Sequence, residues 1–517
     1  MNRFALFVLC LALGSTSVSV PAEPATRDDV LELLDASLAA GEGVPAQVLL
    51  EQYLLNYPRT PRVLELEILT AFYAGDYAAA AAGVVELREG SNSPTHLGGM
   101  ADLIIDTYET TQGYETATYG NFEIRYAPGP DEILVPYAIE TLKAAAEAME
   151  IELGVKMVSP VRLEIYPDAD SLARVSTLSV DAIRNTGTIA LSKWGRLMIA
   201  SPRALMRGYP WLDTIAHEYV HLLITKATLD RTPVWLQEGL AKLLETRWRM
   251  PRTQLPINPA SSRLLLGALQ ADELLDFDQL HPSIALLPTQ RDATLAFAQV
   301  SSFMEMFYNR YGREGVQRGL EQVTDGVDAR KALAAVAASS WKGLESDWKK
   351  ELAAKPRPPA ARLLRRHLKG EATENDEVAD VEREKARKYV RLGDLLWVRS
   401  RPAAASVEYG KAHQVAPSDP IVASRYARSA IAGGRPQEAI KPLVYTLLLY
   451  PTHAPAQSSL ATARLRTGNK NGAAHAALRA IALNPFDPQP HCVLGELDGP
   501  SGAHERELCA RLGGIRE

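Results

Sequence analysis

The chain has 517 residues, 46% hydrophobic and 23% charged, which excludes intrinsic disorder, collagen-like sequence and a disulfide-dense scaffold for most of its length. Fifty-six Lys and Arg against 62 Asp and Glu leave a formal net charge of −6, so the electrostatic footprint of a nucleic-acid binder is missing. Length alone leaves room for roughly three domains.

Asn2 and Arg3 precede the apolar run Phe4 to Leu13, and small and polar residues then lead to Val20-Pro21-Ala22. A short basic end, a short apolar stretch and a small-x-small site predict a secretory signal peptide over 1–22, cut after Ala22. The apolar run falls short of the roughly 20 residues that a membrane span needs. Leu9 before Cys10 is too large for a bacterial lipoprotein site. The expectation is an exported protein, periplasmic or secreted, with no stable membrane span after cleavage. The remaining cysteines, Cys492 and Cys509, would then meet an oxidising compartment, either bridged or as two partly buried thiols.

Residues 23–115 are rich in Ala and Leu at helical spacing and predict helical hairpins. Phe122 to Tyr126 alternates as a strand and is closed by Pro128-Gly129-Pro130. Helical spacing runs from Asp131 to Leu153, with Gly154 as a stop. Val161 to Tyr166 alternates again, and Thr188–Leu191 with Leu197–Ala200 flank Lys193-Trp194-Gly195 as a hairpin. Strands followed by helices predict an α+β domain over 116–354. Clustered Pro and the basic Arg362, Arg365 and Arg366 then predict a solvated, partly helical linker over 355–384.

Within the α+β region, His217-Glu218-Tyr219-Val220-His221 is H-E-x-x-H. Asp213 is expected as the N-cap of its helix. Residues four apart stand on one helix face, so both imidazoles can converge on a single tetrahedral zinc, while Glu218 meets its water without being a ligand. Thr232 as cap and Pro233 at the first helical position are then expected to open a second helix bearing Trp235-Leu236-Gln237-Glu238-Gly239. Glu238 could complete a His-His-Glu site and leave the fourth position for water. Glu245 lies two turns along the same face, where it could hydrogen-bond a histidine ring from behind the ligands.

The C-terminal region, 385–517, repeats. Pro417, Pro451 and Pro485 are 34 residues apart, as are Gly434 and Gly468, and Ala405, Ala439 and Ala473. This period resembles tetratricopeptide repeats, with 488–517 as a terminal pair or cap. Pro58, Gly75 and Ala80 reproduce the offsets of Pro417, Gly434 and Ala439. They suggest hairpins of the same kind near the N-terminus.

The H-E-Y-V-H motif followed by P-V-W-L-Q-E-G-L-A resembles the gluzincin zinc metallopeptidases, and most of all the bacterial peptidase MA-like domains often attached to tetratricopeptide repeats. The resemblance implies a thermolysin-like catalytic domain flanked by all-α tetratricopeptide-like repeats, with a sheet whose edge strand holds extended substrate. It implies His217, His221 and Glu238 as Zn2+ ligands, Glu218 as general base and Glu245 as a supporting acid. The metzincin pattern would need Gly at 224 and His at 227, where Ile224 and Ala227 stand. The Gly-x-Met-Glu-Asn exopeptidase motif is absent. Where such domains often carry an oxyanion-donating tyrosine, this chain has Phe297, and Tyr209, Tyr308 and Tyr311 are the substitutes to test. The expected function is hydrolysis of peptide or protein substrates by an exported zinc metallopeptidase, with repeats that dock substrate or partners. The competing expectation is a weak or inactive scaffold that binds protein partners through the repeats. No nucleotide-binding or serine-hydrolase motif is present.

Overall fold

The computed structural model describes residues 26–90, 97–157, 160–250, 257–369, 374–497 and 502–513. The signal segment, 1–22, lies outside the described residues. The protein is mostly helical, with one small sheet.

Helices Arg27–Ala39, Gly43–Asn56, Pro61–Ala74, Tyr77–Gly90 and Met100–Thr111 precede the sheet. They stack as antiparallel hairpins, and Thr60 caps the third by accepting from Val63 N. The five strands are β1 (Glu115–Tyr119), β2 (Phe122–Tyr126), β3 (Val161–Tyr166), β4 (Ala190–Lys193) and β5 (Arg196–Ala200), in the order β1-β2-β3-β5-β4. β1 pairs antiparallel with β2, β2 and β5 run parallel to β3, and β4 pairs antiparallel with β5 at the open edge. The parallel β2–β3 connection is made by helix α1 (Val135–Leu153), as a crossover requires. Alternation in Phe122–Tyr126 and Val161–Tyr166 was legible in the sequence, whereas β1 was not, because its residues are mostly exposed and lack an apolar face.

One hydrophobic core runs from Leu64 through the sheet and its helices to Leu352, and takes in Leu508 from the far end of the chain. The N-terminal helices therefore share the sheet's core. A charged layer joins them. Arg125, Arg162, Glu164 and Arg196 all stand on β2, β3 and β5 beneath the helix pair that ends at Gly75 and resumes at Tyr77. Arg125 donates to Gly75 O at 3.1 Å, Arg162 to Tyr73 O at 3.4 Å, and Arg196 pairs with Glu164 at 3.0 Å with both side chains buried. Burial pushes the Glu164 carboxyl up, but Arg196, Arg125 and Arg162 together hold it below its ordinary value.

The C-terminal region forms four helical hairpins in series, Glu384–Val398 with Pro402–Val415, Pro420–Ala432 with Pro436–Leu449, Ala454–Arg466 with Lys470–Ile481, and Pro488–Glu496 with Gly502–Arg511. Ala405, Ala439 and Ala473 are fully buried at the hairpin crossings, where a larger side chain would push the helices apart. Cys492 and Cys509, left open between bridge and thiols by the sequence, form a disulfide that ties the last hairpin.

One structural expectation needs correction. The described residues of 355–384 are largely exposed and include the short helix Glu374–Ala379, but they do not hang free between their neighbours. Arg362 pairs with Asp419 at 3.0 Å, His367 with Asp380 at 2.6 Å, and Leu368 forms a β-bridge with Leu205. The segment is a strap pinned to both neighbours, because its charges find carboxylates at the N-cap of Pro420–Ala432 and just past the strap's own short helix. The C-terminal hairpins also pack directly on the sheet domain. Tyr209 N donates to Leu483 O at 2.8 Å, the Trp211 indole to Ile481 O at 3.0 Å, and Tyr137 to Glu505 at 2.9 Å. Gly208, at φ +67°, permits this approach, since a Cβ there would lie 2.1 Å from Leu483 O.

Candidate metal centre

Helix α2 (Trp211–Thr228) carries the H-E-x-x-H motif, and helix α3 (Val234–Leu244) returns beside it. Neither begins as expected. Pro210 is the N-cap of α2, and Asp213 sits inside the first turn, where it accepts from Arg249 at 2.7 Å and from the Trp248 indole at 3.1 Å. Tertiary partners outcompeted the local cap. Pro233 precedes α3 without a side-chain cap, and Thr232 donates instead to Thr228 Oγ1 at 2.8 Å.

The tight turn between α2 and α3 brings three predicted side chains together. His217 Nε2 lies 3.1 Å from His221 Nε2 and 3.2 Å from Glu238 Oε2, and His221 Nε2 lies 3.4 Å from the same oxygen. Ligands about 2.0–2.1 Å from a tetrahedral zinc stand about 3.3–3.4 Å apart. The observed triangle has nearly those edges, so the donor set and its spacing fit such a cation. Among the described residues this is the one His/Cys/Asp/Glu group that satisfies metal-ligand proximity.

The opposite ring nitrogens are also held. His217 Nδ1 donates to Glu245 Oε2 at 3.1 Å, and Lys242 binds the other Glu245 oxygen at 2.6 Å. His221 Nδ1 donates to Gln237 Oε1 at 3.0 Å. Each such bond fixes the tautomer that leaves Nε2 free toward the centre. Gln237 is the residue that sequence reasoning missed. It stands in the quoted motif, but only the fold reveals which ring it meets.

Burial pushes the His217 imidazole down, yet the Glu238 and Glu245 carboxylates raise it. Burial likewise opposes ionisation of Glu238, and the two histidines more than offset it, holding that carboxyl well below its usual range. Glu218 differs. It is 4% exposed, its Oε2 has no hydrogen-bond partner among the described residues, and burial raises its pKa despite the nearby histidines. A buried carboxyl with an unused oxygen and an elevated pKa beside a metal-ligand set is suited to taking up a proton.

Helix α4 (Gln290–Thr324) covers the site with Phe297, whose ring meets His217 edge to face at 6.4 Å. None of the substitute tyrosines replaces the missing donor. Tyr209 is buried and donates to Ala200 O, and Tyr308 donates to Glu152 at 2.8 Å. Tyr308 and Tyr311 stand eleven and fourteen residues past Phe297 on α4, about 16 and 21 Å along its axis.

The open edge of the sheet runs beside α2. Ala200 N donates to Ile189 O, so antiparallel alternation turns Ile189, Leu191 and Lys193 toward β5. The peptide groups of Ala190 and Ser192 therefore face outward, where an extended chain can pair with them.

Residues 141–354 match the family model described as the Peptidase MA superfamily. No curated protein matches the chain. Among solved structures, it is similar to native yeast LTA4 hydrolase at 12% identity and a TM-score of 0.30, over 78% of this chain and 67% of that one. It is also similar to yeast Tom70 (12% identity, TM-score 0.21, 94% and 83% covered). The APC/C hetero-tetramer Cut9-Hcn1 follows at 13% identity and a TM-score of 0.23, with 94% of each chain covered. Likenesses at such scores carry no weight for fold or activity.

Proposed function

We propose that this chain, whose residues 141–354 carry the Peptidase MA superfamily match, is an exported zinc-dependent metallopeptidase with tetratricopeptide-like repeats that help to dock substrate or partners. The observation that carries the reading is the triangle of His217 Nε2, His221 Nε2 and Glu238 Oε2, with edges of 3.1, 3.2 and 3.4 Å. In this reading those three side chains hold the metal. When bound, zinc would activate a water and polarise the scissile carbonyl. Glu218 takes the proton of the attacking water and passes it to the leaving amine, a role its buried, unpartnered oxygen suits. Ala190 and Ser192 hold the substrate backbone in extended form along the edge of β4. The disulfide between Cys492 and Cys509 is in keeping with an oxidising compartment, and the sequence of residues 1–22 with export.

The test is cleavage of denatured casein by the purified chain. Activity is expected to vanish with a strong chelator and to return on adding Zn2+. Cleavage that persists in the chelator, with metal analysis showing an empty protein, would end the metallopeptidase reading.

Glu245 offers a graded check. Its bond to His217 Nδ1 and its anchoring by Lys242 orient the ring. Glu245→Gln is expected to weaken zinc affinity by about 10–100-fold while leaving the fold intact. A competition titration against a chromophoric chelator reads this directly. An unchanged affinity would make Glu245 a bystander.

Phe297 favours a second reading, a catalytically weak scaffold that binds partners through the repeats. Loss of one oxyanion donor typically costs about 10²–10³ in rate. A zinc-loaded chain that cleaves nothing would favour it.

A further inference from the structure

One arginine of the strap has no counter-ion in a place where a substrate would supply it. Arg362 is engaged in docking the strap to the repeats through Asp419, whereas Arg366 pairs with no carboxylate among the described residues. Its Nη1 donates to Gly187 O at 2.7 Å, and its other side-chain donors meet no acceptor among the described residues. The backbone around it is fixed. Arg366 N donates to Gln290 Oε1 at 3.3 Å, Met206 N donates to His367 O at 3.0 Å, and Lys369 N donates to Ala204 O at 2.7 Å. Gly187, at φ +71°, lets the arginine stem lie close, since a Cβ there would stand 3.2 Å from Arg366 Cδ.

Gly187 leads into β4, and Gln290 opens α4, whose second turn places Phe297 over His217. Arg366 thus stands at the start of the open edge, at the end of α4 from which Phe297 follows seven residues on. Its side chain is exposed.

We propose that Arg366 is a specificity-determining residue that binds a substrate carboxylate on the C-terminal side of the scissile bond. This rests on the peptidase reading above. A peptide added antiparallel to β4 runs its C-terminal half toward Gly187, whereas a parallel one would bring its amino end to the guanidinium, which repels it. Gly187 lies three residues before Ala190, about 10 Å at ~3.3 Å per residue. The carboxylate is therefore read about three residues beyond the unit that pairs with Ala190. Its source is the chain terminus or an acidic side chain, and a planar guanidinium suits either by bidentate pairing.

The experiment measures binding, by fluorescence anisotropy, of a fluorescein-labelled peptide of eight Ala and Leu residues to the zinc-loaded full chain carrying Glu218→Gln. Three forms are compared: a free C-terminal acid, a C-terminal amide, and an amide with Glu as the last residue. One or both carboxylate forms are expected to bind about tenfold or more tighter than the plain amide. In that background Arg366→Gln abolishes the difference and Arg366→Lys keeps part of it, with melting temperatures confirming folded chains. A gain confined to the free acid assigns the chain terminus, and one shared with the Glu form assigns any carboxylate at that distance. Equal binding of all three forms, or a preference that survives Arg366→Gln, overturns the proposal. A preference in a wild-type chain that cleaves no peptide keeps Arg366 and removes the peptidase reading. Cleavage without the preference does the reverse.

Discussion

Glu218→Gln is expected to lower peptide cleavage by about 10²–10⁴-fold while leaving bound zinc at wild-type stoichiometry. Gln fills the same volume but cannot accept the proton that an attacking water must lose. Glu218 makes no edge of the ligand triangle, so the histidines and Glu238 keep their positions. His217→Ala is expected to behave differently and lose metal and activity together, because it removes a ligand and also strands Glu245 without its ring. Metal analysis beside a fluorogenic peptide assay separates the two. Wild-type cleavage by Glu218→Gln would take that residue out of the chemistry, and full zinc retention by His217→Ala would take the triangle out of metal binding.

Trp211→Ala is expected to destabilise the chain by about 3–5 kcal/mol, the range for removing a fully buried aromatic side chain. Trp211 opens α2, packs edge to face on Tyr137 at 6.4 Å, and ties the helix to Ile481 O. Trp211→Phe keeps most of the volume and leaves that carbonyl without its donor, for an expected cost of about 1–3 kcal/mol. Urea unfolding of the three chains reads the series. His217 lies six residues along the same helix, so zinc affinity is expected to fall in the same order. Equal stability of Trp211→Ala and wild type would mean that the repeats rest on the metal helix without supporting it.

The site was legible in the sequence to the extent that helix geometry is local. His217 and His221 share a face because they are four residues apart, and Glu245 follows Glu238 by seven on the next helix. The same holds for the 34-residue period, which the hairpins keep with Ala405, Ala439 and Ala473 at equivalent crossings. Capping was less legible. Asp213 looked like a cap and became a partner for Arg249, since an arginine from beyond α3 competes for the same carboxylate.

Periodicity, side-chain chemistry and spacing along the chain were enough to read the paired imidazoles, the returning glutamate and the repeating hairpins, because each depends on residues a few turns apart. Only the tertiary structure could decide that Gln237 steadies His221, that the repeats seat on Trp211, and that Arg366 stands beside the open strand. These depend on groups brought together from distant parts of the chain by buried apolar surface. No local pattern encodes which surfaces will meet.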